Sequence, residues 1–212
     1  MSSSDGPRSV KIGADERTGW SSERPRRDGA PPRPANISTR CKVLRPTDEM
    51  RYSPGSLLMV VSASESDRQA FAERVIEQKG AVLTPGKVRT LLEGRVPDDE
   101  LEAKAADVLA AAASKRLEAN DSTVVVTGGL EPQERERFAR LAAKNKRPRH
   151  LILVETARDR VSEDDLAALN ETRRRLDTGE LGAEGFDTAM RLGGDSISEL
   201  KRIVFRPAPR DD

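Results

Sequence analysis

The chain has 212 residues, a length that predicts one domain, or one domain with a tail. Charged residues make up 34% of the chain but the net charge is only +1, which excludes a chain that is basic throughout, as many nucleic-acid-binding domains are. Hydrophobic residues reach 35% and aromatic residues only 3%, which indicates that part of the chain does not pack into a core.

Residues 1–37 are predicted to form a disordered, basic tail. They are rich in Ser, Gly, Pro, Arg and Asp, and such a segment buries too little apolar surface to offset its chain entropy. A basic tail can bind nucleic acid or an acidic partner, and simple solubility is the other interpretation. Trp20 is a candidate docking anchor within this tail. The candidate basic contacts are Arg24, Arg26, Arg27, Arg33, Arg40 and Lys42.

Short apolar runs then alternate with helix-forming segments. We divide this part of the chain into a lead-in segment at 38–55, an α/β domain at 56–206 and a C-terminal tail at 207–212. The predicted buried strands are 57–61, 81–83, 124–126 and 151–154, followed by strand-like runs at 189–192 and 203–205. The predicted helices are 66–79, 88–92, 98–119, 132–144 and 164–176. This alternation predicts a mostly parallel sheet with flanking helices.

Ligands bind such sheets outside the carboxyl ends of the strands. Three predicted strand ends carry the candidate site, namely those after Val61, Leu83 and Val126. The first is followed by SASESDRQ at 62–69 and then AFA, the second by TPGKVR at 84–89, and the third by TGG at 127–129 and LEPQER at 130–135. Near the C-terminus stands EGF at 184–186.

In this order, the segments resemble those of P-loop kinases, most closely the group of polynucleotide kinases and zeta-toxin-like predicted kinases. The resemblance implies a P-loop NTPase-like fold for the domain. In that family, glycines let backbone N–H groups curl around phosphates, a Lys reaches the β- and γ-phosphates, and a Ser or Thr holds Mg²⁺.

The resemblance also implies that this phosphate loop is degenerate. Its two glycine slots hold Ser62 and Asp67, and Ser64 and Ser66 lie between them. The Lys slot holds Arg68. The hydroxyl slot holds Gln69, which is a poor Mg²⁺ ligand.

The other two strand ends depart from the family in the same direction. Gly86 occupies the slot of the Asp that would accept a proton from the attacking hydroxyl, and Gly has no side chain to do so. Thr127 replaces an acidic residue that would help to hold Mg²⁺. Arg89 matches the family's substrate-binding Arg and is a candidate contact to a phosphate or substrate.

These losses predict a catalytically degenerate P-loop kinase-like protein, without a catalytic residue, a metal or a cofactor. It would act by binding a protein or a nucleic acid through the basic tail and the strand-end face. One alternative is a divergent kinase that uses ATP with Mg²⁺ and Arg68, and acts on a 5′-hydroxyl nucleic acid end or a small molecule. A second alternative is an RNA-associated accessory module. A different α/β family with its own site also remains open.

The rarest reactive residues do not suggest further chemistry. Cys41 and His150 are the single cysteine and histidine, which excludes an internal disulfide and leaves too few ligands for a structural zinc site. No run approaches about 18 apolar residues and the N-terminus lacks the apolar core of a signal peptide. We therefore expect a cytoplasmic protein without a membrane partner, and the Arg- and Ala-rich usage is typical of a bacterial or phage genome.

Overall fold

The computed structural model describes residues 35–207. The predictions for residues 1–34, including Trp20 and four of the basic contacts, and those for residues 208–212 lie outside this part. No helix of residues 35–207 combines the length and the apolar character that crossing a membrane requires.

Strands and helices alternate along the described residues as the sequence predicts. The strands are β1 Lys42–Leu44, β2 Glu49–Tyr52, β3 Leu57–Val61, β4 Val82–Leu83, β5 Thr123–Thr127, β6 Arg149–Val154, β7 Thr188–Leu192 and β8 Arg202–Phe205. The α-helices are α1 Glu65–Val75, α2 Pro85–Leu92, α3 Asp98–Glu118, α4 Pro132–Lys144, α5 Glu163–Asp177 and α6 Asp195–Glu199.

Six strands form one parallel sheet in the order β1-β7-β6-β3-β5-β4. Strands β2 and β8 form a second, two-stranded parallel sheet. The chain leaves β3 towards β4 on one side and later crosses from β5 to β6 on the other, so the direction of winding changes beside β3. The predicted fold class, an α/β domain with a mostly parallel sheet and flanking helices, is confirmed.

The central strand β3 is buried on both faces because helices cover both sides of the sheet. Leu57, Met59 and Val61 pack with buried residues of α3, α4 and α5, whereas Leu58 and Val60 pack with those of α1. Alternate side chains of a strand point to opposite faces, so a continuous apolar run is needed to fill both cores.

The lead-in segment takes part in this architecture. Strand β1 pairs with β7 at the edge of the large sheet, and β2 pairs with β8. The segment packs closely because Gly182 has no side chain: a Cβ there would lie 2.2 Å from the carbonyl oxygen of Thr39 and 2.8 Å from the backbone nitrogen of Cys41. Burial, assisted by the charge of Asp187, raises the pKa of Cys41 to about 11, which keeps it a neutral thiol.

Helix α1 is shorter than the predicted 66–79. It ends at Val75, and Ile76 adopts an extended conformation. Ile76 is fully buried and forms an isolated bridge with Ile203 of β8. The tertiary contact therefore outweighs the helical pattern of the sequence at this point.

A fully buried ion pair joins α4 to the segment before β7. Arg135 donates from Nε and Nη2 to the two carboxylate oxygens of Glu184, at 2.6 and 2.7 Å. Its Nη1 donates to the carbonyl oxygens of Gly129 and Leu130 and to the hydroxyl of Thr172. This guanidinium thus connects three parts of the chain with its hydrogen bonds satisfied, which is the condition for burying a charge.

Replacing Arg135 by Met should lower the free energy of unfolding by about 3–5 kcal/mol. The buried Glu184 carboxylate would keep the hydrogen bond from the partly exposed Arg175 but lose both from Arg135, and the carbonyl oxygens of Gly129 and Leu130 would lose the Arg135 donor. Urea unfolding monitored by circular dichroism measures this loss. The matched control is Arg137→Met, two residues along the same helix, where the half-exposed pair with Asp107 contributes less than about 1 kcal/mol. Equal losses of stability in the two variants would contradict the conclusion that the buried Arg135–Glu184 pair stabilises the domain more than the exposed Arg137–Asp107 pair does.

His150 at the start of β6 is buried in its neutral form. Its Nδ1 lies 2.9 Å from the hydroxyl of Thr188, and its ring lies 4.4 Å from that of Tyr52, centroid to centroid. Burial lowers the pKa of His150 to about 4, with the positive charge of Arg149 adding to the effect and Asp187 opposing it. Because this pKa lies below the unfolded value of 6.5, protonation favours unfolding.

The stability contributed by neutral His150 is complete above pH 6.5 and should fall by about 3 kcal/mol as the pH drops towards 4. Urea unfolding of the parent and of His150→Gln between pH 7.5 and 4 tests this, since the other titrating groups are common to both. The difference in stability between the two proteins should shrink with decreasing pH. A constant difference would contradict the buried neutral state.

Candidate functional site

The three predicted strand ends meet at one edge of the sheet. Val61 of β3 lies opposite Thr127 of β5, and Leu83 of β4 lies opposite Val125. This edge lies beside β3, where the winding of the chain reverses, which is where parallel α/β sheets bind ligands. We call it the strand-end face.

The connection from β3 to α1 is short, because the helix begins at Glu65. Ser64 is its N-cap, and its hydroxyl accepts a hydrogen bond from the backbone N–H of Asp67. Residues 62–64 are therefore the whole connection, and the predicted site residues Ser66, Arg68 and Gln69 lie on the helix together with Asp67. The motif of a phosphate loop instead uses residues of this stretch to wrap around phosphates.

The connection is held by hydrogen bonds of its own. The hydroxyl of Ser62 is fully buried and lies 2.9 Å from that of Thr156, which follows β6. The backbone N–H of Ser64 donates to the same Thr156 hydroxyl at 3.1 Å. The serine hydroxyls are thus engaged in fixing the backbone, and the ends of β3 and β6 are tied together.

Arg68 folds back onto this connection. Its Nη1 donates to the carbonyl oxygen of Ser62 at 3.1 Å, and its side chain is only 12% exposed. Burial lowers the pKa of Arg68 while the charges of Glu65 and Glu134 oppose this. An arginine with these partners remains a cation at neutral pH.

Arg89 and Gly86 lie together on α2, beside the first turn of α1. The Arg89 guanidinium donates to Glu65 at 2.9 Å and to Glu102 at 3.4 Å. A Cβ added at Gly86 would lie 3.7 Å from Glu65 Oε1 and 3.9 Å from Arg89 Nη2, which is ordinary contact. The structure therefore brings Arg68, Arg89 and Gly86 to one place, where carboxylates pair with both cations.

The sequence did not identify Glu134 as a site residue. The hydroxyl of Thr127 donates to one oxygen of this carboxylate, and the backbone N–H of Gly129 donates to the other at 2.7 Å. A carboxylate thus stands at the end of β5, beside Thr127. The available signal was the position of Glu134 in the first turn of a helix that begins at Pro132, because acidic side chains there often bind free N–H groups.

A cavity of about 230 Å³ opens between these groups and helices α2, α3 and α4. Three arginines (Arg68, Arg89 and Arg137) and two glutamates (Glu102 and Glu134) line it, together with apolar residues that include Phe138. This combination can orient a ligand that carries an anionic group beside an apolar one.

A second cavity, of about 280 Å³, lies against α1 and includes Asp67, Arg160 and Glu155. Asp67 pairs with Arg160 at 2.7 Å, and Glu155 pairs with Arg173 and Arg191. Among residues 35–207, no three His, Cys, Asp or Glu side chains converge as a metal ion would require.

No protein-family model matches the chain, and no curated protein matches it at a significant level. Among solved structures, it is similar to a "putative kinase" from Chloroflexus aurantiacus J-10-fl. That similarity covers 66% of this chain and 85% of the other, with 16% sequence identity and a TM-score of 0.41. The chemistry of the site is therefore argued from its own residues.

Two glycines of the strand-end face should respond oppositely to replacement by Ala. Gly86→Ala should raise the free energy of unfolding by about 0.5–1 kcal/mol, since Gly86 lies in a helix with room for a methyl group. Gly129→Ala should lower it by about 1–3 kcal/mol, because Gly129 has a φ of +54° and its Cβ would lie 2.4 Å from Val61 Cγ1. Urea unfolding measures both changes. If Gly86→Ala were less stable than the parent, the added methyl group would not fit beside Glu65 and Arg89, and this prediction would be wrong.

Proposed function

We propose that this protein is a catalytically degenerate P-loop kinase-like protein, which acts by binding a partner and does not transfer phosphoryl groups. The observation that carries the proposal is the early start of α1. With Ser64 as N-cap, residues 65–67 form helix in place of a loop that would surround a polyphosphate.

The charges at this helix start also disfavour a polyphosphate. Glu65 and Asp67 lie in the first turn of α1, where an N-terminus would otherwise attract anions. Each carboxylate at short range would cost about 1–4 kcal/mol of phosphate binding, depending on its exposure. The nearby cations are already engaged: Arg68 is largely buried and pairs with Glu65 at 4.0 Å, and Arg89 pairs with Glu65 and Glu102.

Binding through the strand-end face is supported by the 230 Å³ cavity. It presents Arg68, Arg89 and Arg137 around an apolar floor, and Glu134 is oriented by two donors. A partner protein or nucleic acid that inserts an acidic group with an apolar neighbour would exchange the internal ion pairs of these arginines for its own. Because each arginine must first break an internal ion pair, the net gain in binding free energy is small. Only a partner whose acidic group fits the site recovers this loss, so the exchange favours selectivity over tight binding.

Isothermal titration calorimetry with ATP and GTP, with and without Mg²⁺, tests the loss of nucleotide chemistry. No heat of binding is expected at millimolar nucleotide, and no γ-phosphate should be transferred to hydroxyl-ended oligonucleotides. A kinase with an intact phosphate loop serves as the positive control in the same buffers. Mg²⁺-dependent binding in the micromolar range would contradict the proposal.

A second candidate function is that of a divergent ATP-dependent kinase, and the position of Glu134 favours it. This carboxylate stands at the end of β5, close to where the family's acidic residue would act. In that case Arg68→Ala should abolish phosphoryl transfer while the circular dichroism spectrum stays unchanged. If the parent protein transfers no phosphate, this candidate is eliminated.

A further inference from the structure

The opposite edge of the sheet, where the strands begin, is basic. We call it the basic edge and define it by eight residues from three separate segments. They are Arg40, Lys42, Lys115, Arg116, Lys144, Lys146, Arg147 and Arg149. The basic edge is separate from the strand-end face, so binding there is independent of the proposed function.

Strand register brings one half of the basic edge together. Lys42 of β1 lies opposite Thr188 of β7, and Thr188 lies opposite His150 of β6. Arg149 precedes His150, so Lys42 and Arg149 begin strands that are two positions apart, a spacing of about 10 Å, and their side chains lie towards opposite faces of the sheet. The side chain of Arg149 also approaches the carbonyl oxygen of Ile37, which leads into Arg40.

Hydrogen bonds to backbone carbonyls fix the other half. Arg147 donates from Nε to the carbonyl oxygen of Leu117 at 3.1 Å, which places the α4–β6 connection against the end of α3. Arg116 donates from Nη2 to the carbonyl oxygen of Ser122 at 3.0 Å. Because the acceptors are uncharged, both guanidiniums keep their full positive charge for an external anion.

The charge of the basic edge is largely uncompensated. The adjoining segments carry the carboxylates of Glu118, Asp121, Glu180 and Asp187; Glu180 pairs with Arg174, and Asp187 pairs at 3.3 Å with Arg149, whose side chain is 13% exposed. Within residues 35–207, none of the four lysines of the edge makes an ion pair. The cations of the strand-end face, by contrast, are paired with carboxylates.

Interaction with helix dipoles explains only part of this surface. Lys115, Arg116 and Lys144 lie in the last turns of α3 and α4, where cations are favourable in any protein. Lys42 and Arg149 belong to strands, so the dipoles do not account for them.

We propose that the basic edge binds the phosphate backbone of double-stranded nucleic acid. The exposed large hydrophobic residues among residues 35–207 are Val43, Leu91 and Val108, none of which is aromatic, whereas proteins that hold single strands stack bases on aromatic rings. Val43 is the one exposed large hydrophobic residue of the described chain that adjoins the edge in sequence, which leaves little apolar surface for a protein partner. Lysines and arginines contributed by several segments of one edge match the sequence-independent negative charge of a duplex backbone.

Fluorescence anisotropy with labelled DNA and RNA duplexes of about 16 base pairs tests the proposal on the full chain. The test variant combines Lys42→Gln, Lys144→Gln and Lys146→Asn. Asn is chosen at position 146 because Lys146 has a φ of +55°, a left-handed conformation that Asn tolerates better than Gln. Loss of three phosphate contacts should weaken binding at least about tenfold at low salt, and should reduce the slope of log Kd against log salt by about 3.

The matched control combines Lys87→Gln, Lys104→Gln and Lys201→Gln, which removes the same net charge elsewhere. It should retain nearly the parent affinity and salt slope. Equal weakening in the control, or no duplex binding by the parent protein, would overturn the proposal. Binding of the parent to polyglutamate but not to either duplex would also overturn it, and would assign the basic edge to an acidic protein.

Discussion

The buried pair of Arg135 and Glu184 is the interaction on which the rest of the domain depends. It connects α4, which carries Arg135, to the turn after β5, to α5 and to the segment that leads into β7. A guanidinium in this position cannot be relocated without leaving several polar groups buried and unpaired. Burying this guanidinium is costly unless every donor finds an acceptor. Only the correct relative placement of these four segments satisfies all of the donors, so the buried pair favours this arrangement over others.

The same pair determines the shape of the strand-end face. Arg135 holds the carbonyl oxygens of Gly129 and Leu130 from within the core, while its neighbour Glu134 holds the N–H of Gly129 from the cavity side. Two adjacent charged residues of one helix thus fix opposite sides of one turn. The cavity wall is consequently rigid on the side of β5. The opposite wall contains the exposed ion pairs of Arg89 with Glu65 and Glu102, whose side chains can rearrange when a ligand binds.

The sequence could predict the sheet because its strands are apolar on both faces, and short runs such as Leu57–Val61 are typical of strands buried between two layers of helices. It also indicated that strand ends converge, since parallel strands require it. The sequence could not show that Arg135 is buried while its neighbour Glu134 lines the cavity, because a run of charged residues in a helix does not reveal which of them points inward. The end of α1 was missed for a related reason, since Ile76 is drawn out of the helix by a contact with a strand more than a hundred residues away.

The early start of α1 has a consequence for how the chain can change over time. Residues 65–67 are well suited to a first helical turn, with a serine cap before them and acidic side chains near the positive end of the helix dipole. A single substitution that introduced a glycine or a lysine into this stretch would leave that turn intact and create no phosphate-binding loop. Several changes would have to coincide before any of them was useful. The helical turn therefore makes a phosphate-binding loop hard to acquire stepwise, and proteins that carry this turn are expected to diversify through their binding surfaces.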